Sequence, residues 1–214
     1  MADQNTEAFI GLDPADLSAG DVHRLLLHCV APRPIALTST LSKDGRLNLA
    51  PFSYFMMGGA NPPSVVISPV TGRDGAPKHT LSNIVDTGEY VINVVTYDLR
   101  EQMNRASVDY PEHVSEWEMA GLTPQPSVRV APPRAAESPI AMECRLYKVV
   151  PHGVGHMAAN YVIGEVVYFH VARKLMPEGV FNPGHIEYVA RLGGDAYLRS
   201  TGEGVFALPR LPKP

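Results

Sequence analysis

Six stretches of this 214-residue chain are dense in β-branched and apolar residues and are bounded by Pro, Gly, Asp or Asn: IALTSTL (35–41), LNLAPFSYFMM (47–57), PSVVISPV (63–70), EYVINVV (89–95), IAMECRLYKVV (140–150) and NYVIGEVVYFHVARKL (160–175). That composition predicts strands. Helical spacing is confined to short segments between them, and strand and helix do not alternate regularly, which argues against parallel βαβ units. The expected architecture is mainly β: an antiparallel barrel with short helices packed outside it.

The local signals are specific. In LSAGDVHRLLLHCV (17–30), Val22, Leu25, Leu26 and Cys29 fall at helical spacing, Ser18 or Asp21 can cap the start, and Pro32 and Pro34 follow its end. Along 35–41, Ile35, Leu37, Ser39 and Leu41 share one strand face, and Ala36, Thr38 and Thr40 the other. Asp44-Gly45 then predicts a hairpin turn. Pro51 cannot donate to a ladder, so the return strand is an edge, a bulge or a break at that point. In KHTLSNIVDTGEY (78–90), Leu81, Ile84 and Val85 make an apolar stripe, Thr80 is the expected cap and Gly88 the stop. YDLREQMNRASVD (97–109) and SEWEMAG (115–121) are two further short helices.

Charge and cysteine usage narrow the function classes. The formal charge is −4, from 18 Lys+Arg against 22 Asp+Glu, and no basic run is present, so the chain lacks the electrostatic term on which nucleic-acid binding depends. No stretch approaches the roughly 20 apolar residues that span a bilayer, and the acidic N-terminal sequence does not read as a secretory signal. Cys29 and Cys144 lie in apolar surroundings, as buried thiols in a reducing compartment would. The expectation is a soluble cytoplasmic protein with an N-terminal extension (1–20), one β-domain (21–200) and a proline-rich tail (201–214), either an extended arm over a partner subunit or a loose end.

Two segments carry candidate chemistry. SPVTGRDGAPKHT (68–80) runs from a strand end through two glycines, presents Arg73 and Lys78, and leads into a helix N-terminus. Such a start favours a phosphate, although a Gly-rich connection with solvated charges has the same composition. In NLAPFS (48–53), Asn48 and Ser53 flank a proline-interrupted strand whose unpaired backbone suits the polar edge of a planar heterocycle, or a sheet edge blunted by proline. His152 and His156 in HGVGH have the i,i+4 spacing of a zinc helix, but the intervening glycines and missing glutamate favour a loop and no metal. His170 is expected to be a hydrogen-bonded strand histidine. There is no G-x-S-x-G, P-loop or dinucleotide glycine fingerprint in a strand-to-helix context.

Taken together, PRPIALTSTLSKDGRLNLAPFSYF, NPPSVVIS, PKHTLSNIVDTGEYVINVV, SEWEMAGL, ESPIAMECRL, VIGEVVYFHV and YVARLGGDAY make the chain resemble the flavin reductase-like, FMN-binding split-barrel family from about Val22 to Tyr197. The resemblance implies a homodimeric split barrel with FMN near the subunit interface. Thr38, Ser39, Thr40, Asn48, Ala50 and Ser53 would line the flavin ring and ribityl chain; Ser68, Arg73, Lys78, His79 and Thr80 would hold the phosphate; Arg191 and Tyr197 would reach the flavin face or substrate entrance. Tyr197 and His170 are the residues to consider near the substrate. Two departures stand out: Lys78-His79-Thr80 replaces the family's Lys-Asp-Thr, and HGVGHMAANYVIGEV lacks the usual Gly-Asp-His, which unsettles a substrate role for His156. The implied activity is hydride transfer from NADH or NADPH to flavin N5, then onward to free flavin, a partner monooxygenase or another acceptor. The alternatives are a non-enzymatic FMN electron carrier reduced by a protein partner, and a β-barrel for another small ligand.

Overall fold

In the computed structural model, which describes residues 9–111 and 113–211, the chain forms strands β1 (Arg33–Pro34), β2 (Ala36–Leu41), β3 (Leu47–Phe52), β4 (Phe55–Ala60), β5 (Pro63–Ile67), β6 (Glu89–Val94), β7 (Pro124–Gln125), β8 (Arg134–Ala135), β9 (Ile140–His152), β10 (Ala159–Val171), β11 (Val189–Arg191) and β12 (Tyr197–Arg199). The helices are α1 (Ala19–Cys29), α2 (His79–Thr87), α3 (Arg100–Arg105) and α4 (Glu116–Ala120). Seven strands make one antiparallel sheet in the order β3-β2-β6-β9-β10-β5-β4; β1, β11 and β12 form a second sheet, and β7 pairs with β8. The protein is thus mainly β, as its sequence predicts.

The β2–β3 hairpin turns at Gly45 (φ 81°), where Gly45 N–H reaches the Ser42 carbonyl and Ser42 N–H the Arg46 carbonyl. Pro51 lies on β3, an edge strand of the large sheet, opposite Leu37, so the missing N–H leaves no hole inside the ladder. The predicted return strand breaks at Ser53-Tyr54 and continues as β4, which leaves β3 paired with β2 and pairs instead with β5. The strand expected over 160–175 ends at Val171, and Arg173–Leu175 is a 3-10 turn.

β2 is buried on both faces. Ala36 packs with Ile67, Ile84, Tyr90, Ile92 and Val162, whereas Ile35 and Leu37 pack with Leu49, Val95, Leu99 and Trp117 under α3 and α4. Thr38, Ser39 and Thr40 are consequently buried too. Three expectations need correction. Cys29 is exposed, because no residue of α1 is buried and its apolar stripe, with Leu25 and Leu26 open, is left uncovered by this chain. Val85 points outward from α2, 56% exposed, while Leu81 and Ile84 are buried. Thr80 does not cap α2: Lys78 occupies the cap position with no side-chain hydrogen bond, and Thr80 is inside the helix. The Ser18 cap and the left-handed Gly88 stop are as expected. Among the described residues, no helix is long and apolar enough to cross a membrane.

Candidate functional site

The β3 edge, the 70–80 loop and the start of α2 enclose a cleft of about 940 Å³, within the usual range of cofactor-sized sites. Six of the sequence-predicted positions line it: Asn48, Ala50, Arg73, Lys78, His79 and Thr80. The loop folds back on itself through Gly72 N–H to the Ala76 carbonyl, with the Asp74 carboxylate taking up Ala76 N–H. Its near end is tied to the β9–β10 turn, where Met157 N–H reaches Thr71 O and Thr71 N–H reaches Ala158 O. These bonds bring His156 and Met157 into the wall of the cleft.

At the α2 end the geometry suits an anion. An N-terminal turn exposes N–H groups that lack intrahelical partners, and in α2 no side-chain oxygen takes them up. Lys78 and Arg73 stand beside that turn, with Lys78 Nζ 3.1 Å from the exposed carboxylate of Asp109. A phosphate placed there would accept the free N–H groups and meet both cations. His79 adds a ring to this wall in place of a carboxylate that would repel the phosphate.

Along β3 the side chains are held for acceptance. Asn48 donates through Nδ2 to Thr40 Oγ1 (3.1 Å) and Thr80 Oγ1 (3.0 Å), and Asn83 donates to the same Thr40 oxygen at 3.0 Å. Asn48 is therefore fixed by buried hydroxyls, and its Oδ1 is the atom left for a ligand. Among the described residues β3 pairs only with β2, so its outer backbone groups, interrupted at Pro51, face the same cleft. The donor set fits a phosphorylated, ring-bearing cofactor with acceptors and donors along one edge.

Other predicted positions lie elsewhere in this chain. Thr38 and Ser39 are buried within β2, and Ser68 is buried at the end of β5, its N–H on the Tyr54 carbonyl. Ser53 Oγ faces Arg33 Nε at 3.5 Å. Arg191 and Tyr197 bond to each other (2.6 Å) in a neighbouring cleft of about 520 Å³ between α3 and the β11–β12 hairpin. His170 is the hydrogen-bonded strand histidine expected, its Nε2 2.6 Å from Glu143 Oε1 and away from the large cleft. His152 ends β9 and His156 lies in the turn that follows, both exposed, and the described residues contain no group of three or more His, Cys, Asp or Glu that could hold a metal ion.

Sequence reasoning missed His23, Arg33 and Tyr54. His23 lines the cleft from α1, with Nδ1 3.0 Å from Tyr54 Oη. Burial lowers its proton affinity, and the charge of Arg33 and His156 lowers it further. Burial raises the Tyr54 phenol in turn. Because these residues come from α1, β1 and the segment between β3 and β4, no local spacing announces them.

The chain is similar to known proteins over most of its length. Residues 27–190 match the family described as flavin reductase like domain. An uncharacterized protein of Halalkalibacterium halodurans is 42% identical over 188 residues, 87% of this chain and 90% of that protein. Among solved structures, nitrilotriacetate monooxygenase component B from Bacillus cereus superposes with a TM-score of 0.86 at 32% identity, covering 95% of this chain and 98% of its own. The 2-nitrobenzoate 2-nitroreductase of Pseudomonas fluorescens gives 0.83 at 31% identity, covering 95% and 99%.

Proposed function

From the premise that this chain belongs to the flavin reductase-like family, whose split-barrel architecture it shares, we propose that it is an FMN-dependent oxidoreductase reduced by NADH or NADPH. The observation that carries this reading is the cleft in which an uncapped helix start, flanked by Arg73 and Lys78, faces the free edge of β3. FMN held there would supply the redox chemistry, linking a nicotinamide donor to free flavin, a partner monooxygenase or another acceptor.

The chain's own residues bind and orient. Lys78, Arg73 and the first N–H groups of α2 neutralise the phosphate. Thr40 and Thr80 lock Asn48 so that its carbonyl oxygen meets a ring or ribityl donor without reorganising. Phe52 and Pro51 give the wall an apolar surface that excludes water beside the ring. Thr38, Ser39, Ser53, Ser68 and Arg191 enter the reading as a shell behind these contacts or from the partner in a homodimer with FMN near its interface. Both cysteines are free thiols, which suits work in the cytoplasm.

A likeness to a monooxygenase component B supports delivery of reduced flavin to a partner, and a likeness to a nitroreductase supports reduction of a small molecule in the same cleft. The visible spectrum of the protein after FMN addition and desalting tests cofactor retention. Anaerobic stopped-flow mixing with NADH and NADPH tests the donor: bleaching of bound flavin by either is expected. Bleaching by neither would leave the electron-carrier alternative, in which a protein partner reduces the flavin.

A further inference from the structure

Arg33 and Arg191 stand directly opposite each other in the antiparallel β1–β11 ladder. Like charges in that position repel, and Arg33 is only 5% exposed. A buried guanidinium usually has a carboxylate partner. Here Arg33 donates through Nη1 to the Leu27 and Val30 carbonyls and approaches Ser53 Oγ, all neutral acceptors. Its Nη2 is buried without a partner. Arg191 bonds to Tyr197 Oη and the Gly194 carbonyl, again neutral. Neither arginine makes an ion pair among the described residues.

In front of this pair, on the cleft side, are two more groups that can carry positive charge. His23 uses Nδ1 on Tyr54, which leaves Nε2 as its unengaged ring nitrogen, and His156 lines the same end of the cleft. Asp74, Asp109 and Glu116, the carboxylates that line the cleft, belong to the loop and helix segments around its Lys78 end. The cleft therefore has Arg73 and Lys78 at one end and two protonatable imidazoles, His23 and His156, at the other, and the cofactor's phosphate accounts for only the first.

We propose that the His23–His156 end of the cleft, backed by Arg33 and Arg191, is an oxyanion-accepting subsite for the carboxylate or phosphate of a second substrate. The inference rests on reading the cleft as the flavin site, because it places this substrate beside the apolar strip that the flavin ring would cover. An anion there neutralises the arginine pair and accepts a hydrogen bond from His23. It is a small organic anion rather than a macromolecule, because His23 and His156 face into the cleft and Arg33 lies buried, while Arg191 opens on the neighbouring cleft.

The groups that set the charge state of His23 are Arg33, His156 and Tyr54, with Arg191 behind Arg33. Imidazole NMR of the full chain, with and without FMN, reads the subsite directly. Millimolar benzoate or inorganic pyrophosphate, each against chloride at matched ionic strength, is expected to raise the His23 titration midpoint by about one pH unit, the scale of a new neighbouring opposite charge. Benzoate alone acting would assign a carboxylate substrate; pyrophosphate alone would assign the phosphates of a dinucleotide. Arg191→Gln should weaken the response about tenfold, a charged hydrogen bond's share. Arg33→Gln should do the same, but Arg33 also ties the end of α1 to β1, so Arg191→Gln decides if that variant fails to fold. No shift with either anion, or an Arg191→Gln protein that responds like wild type, overturns the subsite. Visible absorbance reports FMN separately: flavin lost with the anion response intact removes the cofactor reading and keeps the subsite, and flavin held with no response removes the subsite alone.

Discussion

Lys78 has Asp109 as its partner in the structure and a second partner in the proposed FMN complex, and a substitution separates them. Its pair with Asp109 joins side chains 43% and 90% exposed, so it contributes about 0–1 kcal/mol to folding. Facing the proposed phosphate it would make a charge-assisted bond of roughly 1.5–3 kcal/mol. Lys78→Ala should therefore weaken FMN binding about tenfold to a hundredfold while the unfolding midpoint barely moves; fluorescence titration of FMN beside a thermal melt checks both, and unchanged affinity would remove the phosphate assignment. Glu143 is the opposite kind of residue, fully buried and structural. Burial pushes its carboxyl upward, but His170 and the N–H groups of Val128 (2.7 Å) and Arg129 (2.6 Å) outweigh it and hold it below its ordinary 4.5. A depressed folded value means its stabilisation is complete above 4.5 and is lost as pH falls through the lowered value. Glu143→Gln should cost roughly 1.5–3 kcal/mol in urea unfolding at neutral pH, and the gap to wild type should close below that range; a gap constant with pH would contradict the argument. At this scale the sequence was partly readable. Ser18, Gly45 and Gly88 carry their roles in local chemistry, whereas Thr80 looked like a cap only because the true cap residue, Lys78, has no oxygen to offer. His23, Arg33 and Tyr54 could not be read, because Arg33 stood in a proline pair that marks a chain break and its neighbours lie far along the chain.

The elements were more legible than their surroundings. β-branched and apolar density located β2, β5, β6, β9 and β10; β2 and β6 are apolar because they are buried on both faces, whereas β9 and β10 keep apolar side chains on a partly open face. What the pattern left open was which helix faces would be covered, as the exposed stripe of α1 and the outward Val85 show. One glycine shows how tightly the central strands are fitted. Gly164 sits at an irregularity in the β9–β10 register, and a Cβ there would lie 1.9 Å from Tyr90 Oη and 2.7 Å from its Cζ. Tyr90 is fully buried, so the ring cannot swing toward solvent without emptying the core. Gly164→Ala should cost about 1–3 kcal/mol, the usual penalty of overpacking. Adding Tyr90→Phe removes the closest atom and should recover part of that loss, a non-additive result that urea unfolding of the four proteins would reveal. Strict additivity would place the strain elsewhere.

At the scale of the whole molecule the isolated chain leaves large apolar side chains open: Leu25 and Leu26 on α1, Met56 and Met57 on β4, Tyr147 on β9, and Phe206 and Leu208 in the tail are all exposed. β4 is moreover an edge strand of the large sheet, and an open edge with apolar side chains invites a partner. A second copy of the chain is the occupant the proposed homodimer requires, and FMN near that interface would link assembly to cofactor retention. Met57, 74% exposed, can be changed at little cost to the monomer's own packing. Sedimentation of the wild type should give about twice the chain mass, and Met57→Glu should shift it toward one chain by placing a charge in a buried apolar contact. The same variant should lose FMN on desalting more readily than wild type while keeping its circular dichroism. A wild type that sediments as one chain at every concentration and still holds FMN would show that the cleft is complete within a single subunit and that the exposed edge serves another purpose.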